Sequence, residues 1–204
     1  PELGQLNKLE KFALFDTQIS GSIPPELGNL NKLTLLSLGS NNLSGSIPPE
    51  LGTLTKLNYL FLDDNNLSGN IPAEIGDLSK LEYLELTNNE LGDLPDSLVA
   101  LEQLKTLNLY LNPISCLPDG MERLKNLETL DLGKTTLWSF EETIEKLAKT
   151  NLKELSLAGN DLETLPSNIK YLQSLEQWNL SDNKFSIKEQ ERIQSLVPNC
   201  SIHF

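Results

Sequence analysis

The chain of 204 residues has little of the chemistry on which most enzymes and metal proteins depend. It contains one histidine, His203, and two cysteines, Cys116 and Cys200. A Ser-His-Asp or Cys-His site would have to use that single histidine beside the C-terminus, and a histidine-rich metal site is excluded. Two cysteines do not make a disulfide framework, and we expect both thiols to be free. We therefore expect no metal and no cofactor.

Basic residues and long apolar runs are also scarce. Lys and Arg number 16 against 29 Asp and Glu, which gives a formal net charge of −13. Sequence-independent nucleic-acid binding and docking on anionic lipid both require a basic patch, so neither is expected. No apolar run approaches the roughly 18–20 residues that a membrane span needs, and no signal-peptide pattern opens the chain. The compartment is left open between secreted or cell-surface and cytoplasmic.

Leucine, in contrast, is abundant and regularly spaced. It occurs 45 times, and successive units begin at intervals of 24, 24, 24, 23 and 23 residues. Two further units can be aligned on Leu152 and Leu175. Self-similarity at a fixed period of this length predicts a repeat array. The first six units begin at Leu6, Leu30, Leu54, Leu78, Leu101 and Leu124.

The aligned units share the pattern LxxLxLxxNxL, as in LNKLTLLSLGSNNLSGSIPPELGT and LKTLNLYLNPISCLP. This pattern resembles that of the leucine-rich-repeat family along essentially the whole chain. Units one to three resemble the plant-type subclass with LxGxIPxxLG, and later units resemble the shorter LxxLPxxL subclass of bacterial and animal proteins. The resemblance implies an α/β repeat fold, a curved solenoid with a parallel β-sheet on its concave face. Extended, 3₁₀ and helical segments are then expected on the convex face, with a C-terminal helical cap.

We interpret the chain as one solenoid, residues 1–204, without an N-terminal cap. Its opening residues, PELGQL, read as the end of a repeat already under way, so we expect the chain to begin inside a longer protein. A cap over 184–204 should cover the other end of the core, as solenoids require. The eight predicted repeats are 6–29, 30–53, 54–77, 78–100, 101–123, 124–148, 149–171 and 172–183.

Three local patterns predict structure within this array. Phe140, Ile144 and Leu147 have helical spacing, with Trp138 as the expected packing anchor of that helix. Ser186 stands three residues before Glu189, which is a capping-box pattern for a final helix. One asparagine per repeat should satisfy buried backbone groups of neighbouring repeats, although threonine replaces it at positions 17 and 135. This asparagine column comprises Asn41, Asn65, Asn89, Asn112, Asn160 and Asn183.

Large apolar side chains occupy strand positions that should face the concave surface rather than the core. Exposed apolar clusters of this kind are typical of interaction sites, and Tyr and Phe are common in binding hot spots. Asp63 and Glu85 would rim the cluster with negative charge, together with Asp16 and Asp64. The alternative is that pleated strands simply favour aromatic residues. We name this cluster the aromatic patch: Phe15, Leu35, Tyr59, Phe61, Tyr83, Tyr110 and Leu111.

The sequence therefore predicts a non-catalytic module that binds a protein or peptide partner on its concave face. One alternative is binding of a carbohydrate or cell-wall polymer, with sugar rings stacked on Tyr59, Phe61 and Tyr83. Another is a structural solenoid that self-associates through its uncapped N-terminal edge. An enzyme is not expected, because a shallow sheet offers carboxylate pairs such as Asp63 with Glu85 no desolvated pocket in which to shift a pKa.

Overall fold

The computed structural model describes residues 2–137 and 139–204 and shows a curved solenoid with two parallel sheets. Pro1 and Trp138 lie outside the described residues. The predicted packing anchor of the helix at Phe140, Ile144 and Leu147, which is Trp138, therefore lies outside them as well. The thirteen strands are β1 Lys11–Ala13, β2 Ser20–Gly21, β3 Leu35–Ser37, β4 Asn42–Gly45, β5 Tyr59–Phe61, β6 Asn66–Gly69, β7 Tyr83–Glu85, β8 Glu90–Leu91, β9 Thr106–Asn108, β10 Thr129–Asp131, β11 Glu154–Ser156, β12 Gln177–Asn179 and β13 Ser201–His203.

Nine of these strands form the concave sheet, in the order β1-β3-β5-β7-β9-β10-β11-β12-β13. Each three-residue strand places its central side chain in the core and the two flanking side chains outward, because strand side chains alternate between faces. Leu36, Leu60 and Leu84, three of the central residues, are buried almost completely. One strand pair cannot exclude water from such a face alone, so the core exists only through the stacking of repeats.

The convex face changes character along the chain. Up to Leu91 it carries the second sheet, in the order β2-β4-β6-β8, whereas the α-helix α1 begins at Phe140. This confirms the predicted extended segments early and helix late. The 3₁₀ helices are Glu2–Gln5, Pro25–Asn29, Pro49–Thr53, Ala73–Asp77, Asp96–Ala100, Met121–Arg123 and Ser167–Tyr171, and the α-helices are α1 Phe140–Leu147 and α2 Ile187–Leu196.

The asparagine column joins successive repeats, as predicted. The Asn65 amide group donates to Leu38 O at 3.0 Å in the preceding repeat and to Leu62 O at 3.3 Å in its own. Its Oδ1 accepts from the Leu43 N–H at 2.9 Å. Asn89 makes the same contacts one repeat later. Each amide thus satisfies a buried N–H that otherwise would have no partner, and it also donates to carbonyls of two repeats.

The column is interrupted where threonine replaces asparagine in repeat six. Leu91 N–H bonds to the amide of Asn112, but the next member, Thr135, has no carbonyl oxygen to offer Ile114. The Ile114 N–H instead turns back to the Asn112 carbonyl at 2.8 Å. The Thr135 hydroxyl donates to Leu132 O at 2.9 Å, so it satisfies one group of its own repeat.

The C-terminal cap is held by the charged end of α2. Ser186 Oγ accepts from the Glu189 N–H at 3.3 Å, which confirms one half of the predicted capping box. The Glu189 carboxylate serves a different purpose, because it accepts from the Leu165 N–H at 2.9 Å and pairs with Arg192. The hydrogen bonds with Arg192 hold the pKa of Glu189 below its usual value. This pair fastens the cap to repeat seven.

Both cysteines are free, as expected. Burial raises the pKa of the Cys200 thiol to about 11, so this cysteine behaves as an apolar core residue. Cys116 is exposed on the convex side. Among the described residues, no helix has the length and apolar character needed to cross a bilayer.

Replacement of Asn65 by alanine tests the role of the column. The variant leaves the buried Leu43 N–H without a partner and removes one of the hydrogen bonds to the Leu38 and Leu62 carbonyls. We therefore expect a loss of at least about 2 kcal/mol in the free energy of unfolding. Asn66→Ala is the matched control, because Asn66 is exposed and should change stability by less than about 0.5 kcal/mol. Urea unfolding followed by circular dichroism measures both, and equal losses would contradict this role.

Candidate interaction surface on the concave sheet

The strand register brings most of the aromatic patch together. Leu35, Tyr59 and Tyr83 are direct neighbours in one row across β3, β5 and β7. Phe61 lies in the adjacent row, between Ser37 and Glu85. These side chains point away from the core, so the fold does not require them to be apolar.

Three rings of the patch form a continuous stack. The Tyr59 and Tyr83 ring centroids are 5.2 Å apart with an interplanar angle of 22°, and the Tyr59 and Phe61 centroids are 6.3 Å apart at 19°. Offset stacking at these distances is favourable and fixes the ring orientations. We call Tyr59, Phe61 and Tyr83 the ring stack. Each of the three side chains is half-buried, so part of the stack is open to solvent.

An open recess of about 450 Å³ adjoins the ring stack on the side of the strand ends. Two aromatic rings, Phe15 and Phe61, contribute its apolar walls, and Phe15 is 58% exposed. Two carboxylates, Asp63 and Glu85, contribute its charge. We call this feature the acidic recess, and its lining residues are Phe15, Ser37, Phe61, Asp63, Glu85 and Thr87.

The two carboxylates of the acidic recess are held differently. Glu85 accepts from the Thr87 hydroxyl at 2.5 Å, from the Thr87 N–H at 3.3 Å and from the Asn108 amide group, so its position is fixed. Asp63 lies over the bare backbone of Gly39, where a Cβ atom would be 2.5 Å from Asp63 Oδ1. Sequence reasoning identified the two acids but missed Gly39, Thr87 and Asn108, although their columns place them beside these acids.

Asp63 carries an unfavourable charge. Burial raises the pKa of its carboxyl above the usual value, and the nearby charges of Glu85 and Asp64 raise that pKa further. A hydrogen bond from its own backbone N–H opposes the shift without cancelling it. Within the described ranges, no lysine or arginine lies at ion-pair distance from Asp63 or Glu85.

Tyr110 and Leu111 lie apart from the ring stack. The Tyr110 ring leans over Gly133, where a Cβ atom would be 2.7 Å from Tyr110 Cδ2, and Lys134 Nζ is 5.5 Å from the ring centroid. Leu111 is 39% exposed and has a φ of 54°, a left-handed conformation that is unfavourable for leucine. The aromatic patch is therefore divided into the ring stack with Leu35 and Phe15, and a separate pair on β9's C-terminal side.

The second half of the concave sheet holds a polar recess that sequence reasoning did not identify. Its volume is about 270 Å³, and Asp131 lies within it. Asp131 Oδ1 accepts from the Gly133 N–H at 2.8 Å, while burial raises the pKa of its carboxyl. The Ser156 hydroxyl is close enough to lower that pKa slightly but makes no hydrogen bond of good geometry. The other main polar residues here are Asn108, Glu154, Gln177, Asn179 and His203.

Both recesses are open to solvent along the sheet and offer charge and hydrogen bonds rather than a closed reaction chamber. Across residues 2–137 and 139–204, no group of three or more His, Cys, Asp or Glu side chains is arranged to hold a metal ion. The surface is therefore suited to contact with a partner that lies across several strands.

Replacement of Asp63 by asparagine should stabilise the protein at pH 7. The folded-state pKa of this acid is raised, so its charge is unfavourable above that pKa, and the penalty disappears as the pH falls and the carboxyl becomes protonated. We expect Asp63→Asn to gain up to about 0.5 kcal/mol at pH 7 and nothing near pH 3.5. Thermal unfolding at the two pH values measures this gain. A lower melting temperature than wild type at pH 7 would contradict it.

Comparison with protein families identifies repeats in much of the chain. The model described as "Leucine-rich repeat region" matches residues 49–155, and that described as "Leucine Rich Repeat" matches residues 32–54 and 151–172. A search of curated proteins finds no match.

Solved structures resemble most or all of the chain. The leucine-rich-repeat protein LIC12759 of Leptospira interrogans is 38% identical with a TM-score of 0.86, and the match covers 100% of this chain and 50% of that one. The plant peptide hormone receptor RGFR1, in complex with RGF2, is 34% identical with a TM-score of 0.71 over 87% of this chain and 29% of that one. The Arabidopsis receptor kinase HAESA, in complex with an IDA peptide hormone, is 32% identical with a TM-score of 0.70 over 90% and 32%.

This chain thus spans about half the length of the Leptospira protein and about a third of each plant receptor. The family match at residues 49–155 extends over more than half of the 204 residues. The repeat period, the nine-stranded concave sheet and the asparagine column of this chain agree with that match. The chain belongs to the leucine-rich-repeat family.

Proposed function

We propose that this protein is a non-catalytic recognition module that binds a peptide, or a peptide-like segment of a protein, on the first half of its concave sheet. The ring stack carries this proposal, because three aromatic rings lie in contact on a face that the core does not need. Tyrosine and phenylalanine offer large, rigid contact area with few rotatable bonds, and tyrosine is enriched among binding hot spots.

The similar structures support a peptide as the occupant. RGFR1 was solved with RGF2 and HAESA with an IDA peptide hormone, and each aligns with most of this chain. Repeat proteins of this kind typically use their extended concave surface for binding. The negative net charge and the acidic recess favour a peptide over an anionic polymer.

Removal of the ring stack should strongly weaken peptide binding. Peptides would be selected on immobilised wild-type protein from a displayed random dodecapeptide library, and their affinities then measured on the triple variant Tyr59→Ala/Phe61→Ala/Tyr83→Ala. Replacement of one hot-spot residue by alanine costs about 2 kcal/mol or more of binding free energy. If at least one of the three rings is such a residue, the affinity should fall at least about thirtyfold.

The control variant is Thr129→Ala/Glu154→Ala/Gln177→Ala. It changes three residues of the row that contains Tyr59 and Tyr83, but in the other half of the sheet. It should bind the peptides within about threefold of wild type, provided that circular dichroism shows both variants to be folded. Equal losses in the two variants would contradict the placement of the site. Displacement of the peptides by millimolar cell-wall oligosaccharides would instead favour the carbohydrate alternative.

A further inference from the structure

We propose that the acidic recess holds the guanidinium group of an arginine in the bound peptide, one residue removed from an apolar side chain that rests on the ring stack. This inference rests on the proposed function and names the chemistry of its partner. It follows from three features of the surface: its charge, its apolar walls and the spacing between recess and stack.

Among the described residues, no lysine or arginine forms an ion pair with the two carboxylates of the recess. Asp63 and Glu85 lie close enough to repel each other, and Asp64 adds a third negative charge beside them. Elsewhere in the described residues, acids such as Glu82, Glu128 and Glu189 pair with lysine or arginine. A cation from the partner would give Asp63 and Glu85 an ion pair of the kind that Glu82, Glu128 and Glu189 form within the protein.

The walls of the recess select among cations. Phe15 and Phe61 line it together with the two carboxylates, and Phe15 is largely exposed. A guanidinium group binds carboxylates through paired hydrogen bonds and also stacks on aromatic faces, whereas an ammonium group is more strongly hydrated. Arginine therefore fits this combination of walls better than lysine does.

The geometry of the acceptors is set before any ligand arrives. Glu85 is fixed by Thr87 and Asn108, so it loses little freedom on binding a cation. Asp63 reaches over Gly39, whose missing side chain leaves the room that the Asp63 carboxylate occupies. Fixed acceptors favour short charge-assisted hydrogen bonds.

The spacing sets the order of side chains in the peptide. Phe61 belongs both to the recess and to the ring stack, so the two places adjoin each other. Alternate side chains of an extended peptide are separated by about 6.8 Å. A peptide with an aromatic or large aliphatic residue and an arginine separated by one residue can therefore occupy both places at once.

The test uses peptides selected on the wild-type protein and matched peptides in which the arginine is replaced by citrulline, its neutral isostere. Affinities are measured on wild type, on Asp63→Asn/Glu85→Gln, on Asp63→Asn alone, and on Glu154→Gln. Glu154 is an exposed carboxylate in the polar half of the same sheet, so it controls for general electrostatic attraction. Thermal unfolding shows whether each variant is folded.

We expect citrulline to weaken binding at least tenfold on wild type and on Glu154→Gln, because a charge-assisted pair is lost. On Asp63→Asn/Glu85→Gln the same replacement should matter less than about twofold, and Asp63→Asn alone should give an intermediate value. This pattern of coupling between one peptide group and two protein groups is not produced by a general loss of structure.

Two outcomes overturn this inference while the proposed function stands. One is selected peptides that depend on the ring stack but contain no arginine near an apolar residue. The other is a citrulline effect of equal size in all variants, which would place the guanidinium elsewhere. If no peptide is selected by wild type, both the inference and the proposed function are wrong.

Discussion

The structure depends on a single constraint: no repeat can satisfy its own backbone or bury its own leucines without its neighbours. Each strand of three residues exposes both edges, and each turn leaves N–H and carbonyl groups inside the solenoid. The asparagine column resolves this, because one amide reaches carbonyls in two repeats and accepts an N–H from the preceding one. At Thr135 the amide is absent, and the Ile114 N–H bonds to the Asn112 carbonyl of its own repeat instead of to an amide of the next one.

The same constraint leaves the concave side chains available for binding. Since each concave strand contributes only its central side chain to the core, the two outward positions contribute little to stacking and can carry rings, acids or amides. Asp63 shows that some of these choices oppose stability, because its charge is desolvated and repelled. The φ of 54° at Leu111, in contrast, belongs to the repeat, because the same turn position is also left-handed at Asp64, Asn88 and Lys134. A local cost such as that of Asp63 is characteristic of functional surfaces.

The repeat period, the parallel sheet, the asparagine column and both helices are predictable from sequence, because each follows from local spacing repeated in register. The row of Leu35, Tyr59 and Tyr83 is predictable for the same reason. The separation of Tyr110 from the ring stack is not, since it depends on the empty space above Gly133. The hydrogen bond that Glu189 accepts from the Leu165 N–H is also not predictable from sequence. A capping pattern is local, whereas Leu165 lies 24 residues away. Recess depth likewise depends on side-chain direction rather than on spacing.

The central claim is that the first half of the concave sheet, with its ring stack and acidic recess, forms the binding surface. The most direct measurement is a map of backbone amide chemical shifts in isotope-labelled protein titrated with a selected peptide. The account predicts that the largest changes fall in residues 35–39, 59–64 and 83–88, with little change on the convex 3₁₀ helices. Changes confined to the convex face, to the N-terminal edge or to the polar recess would contradict it.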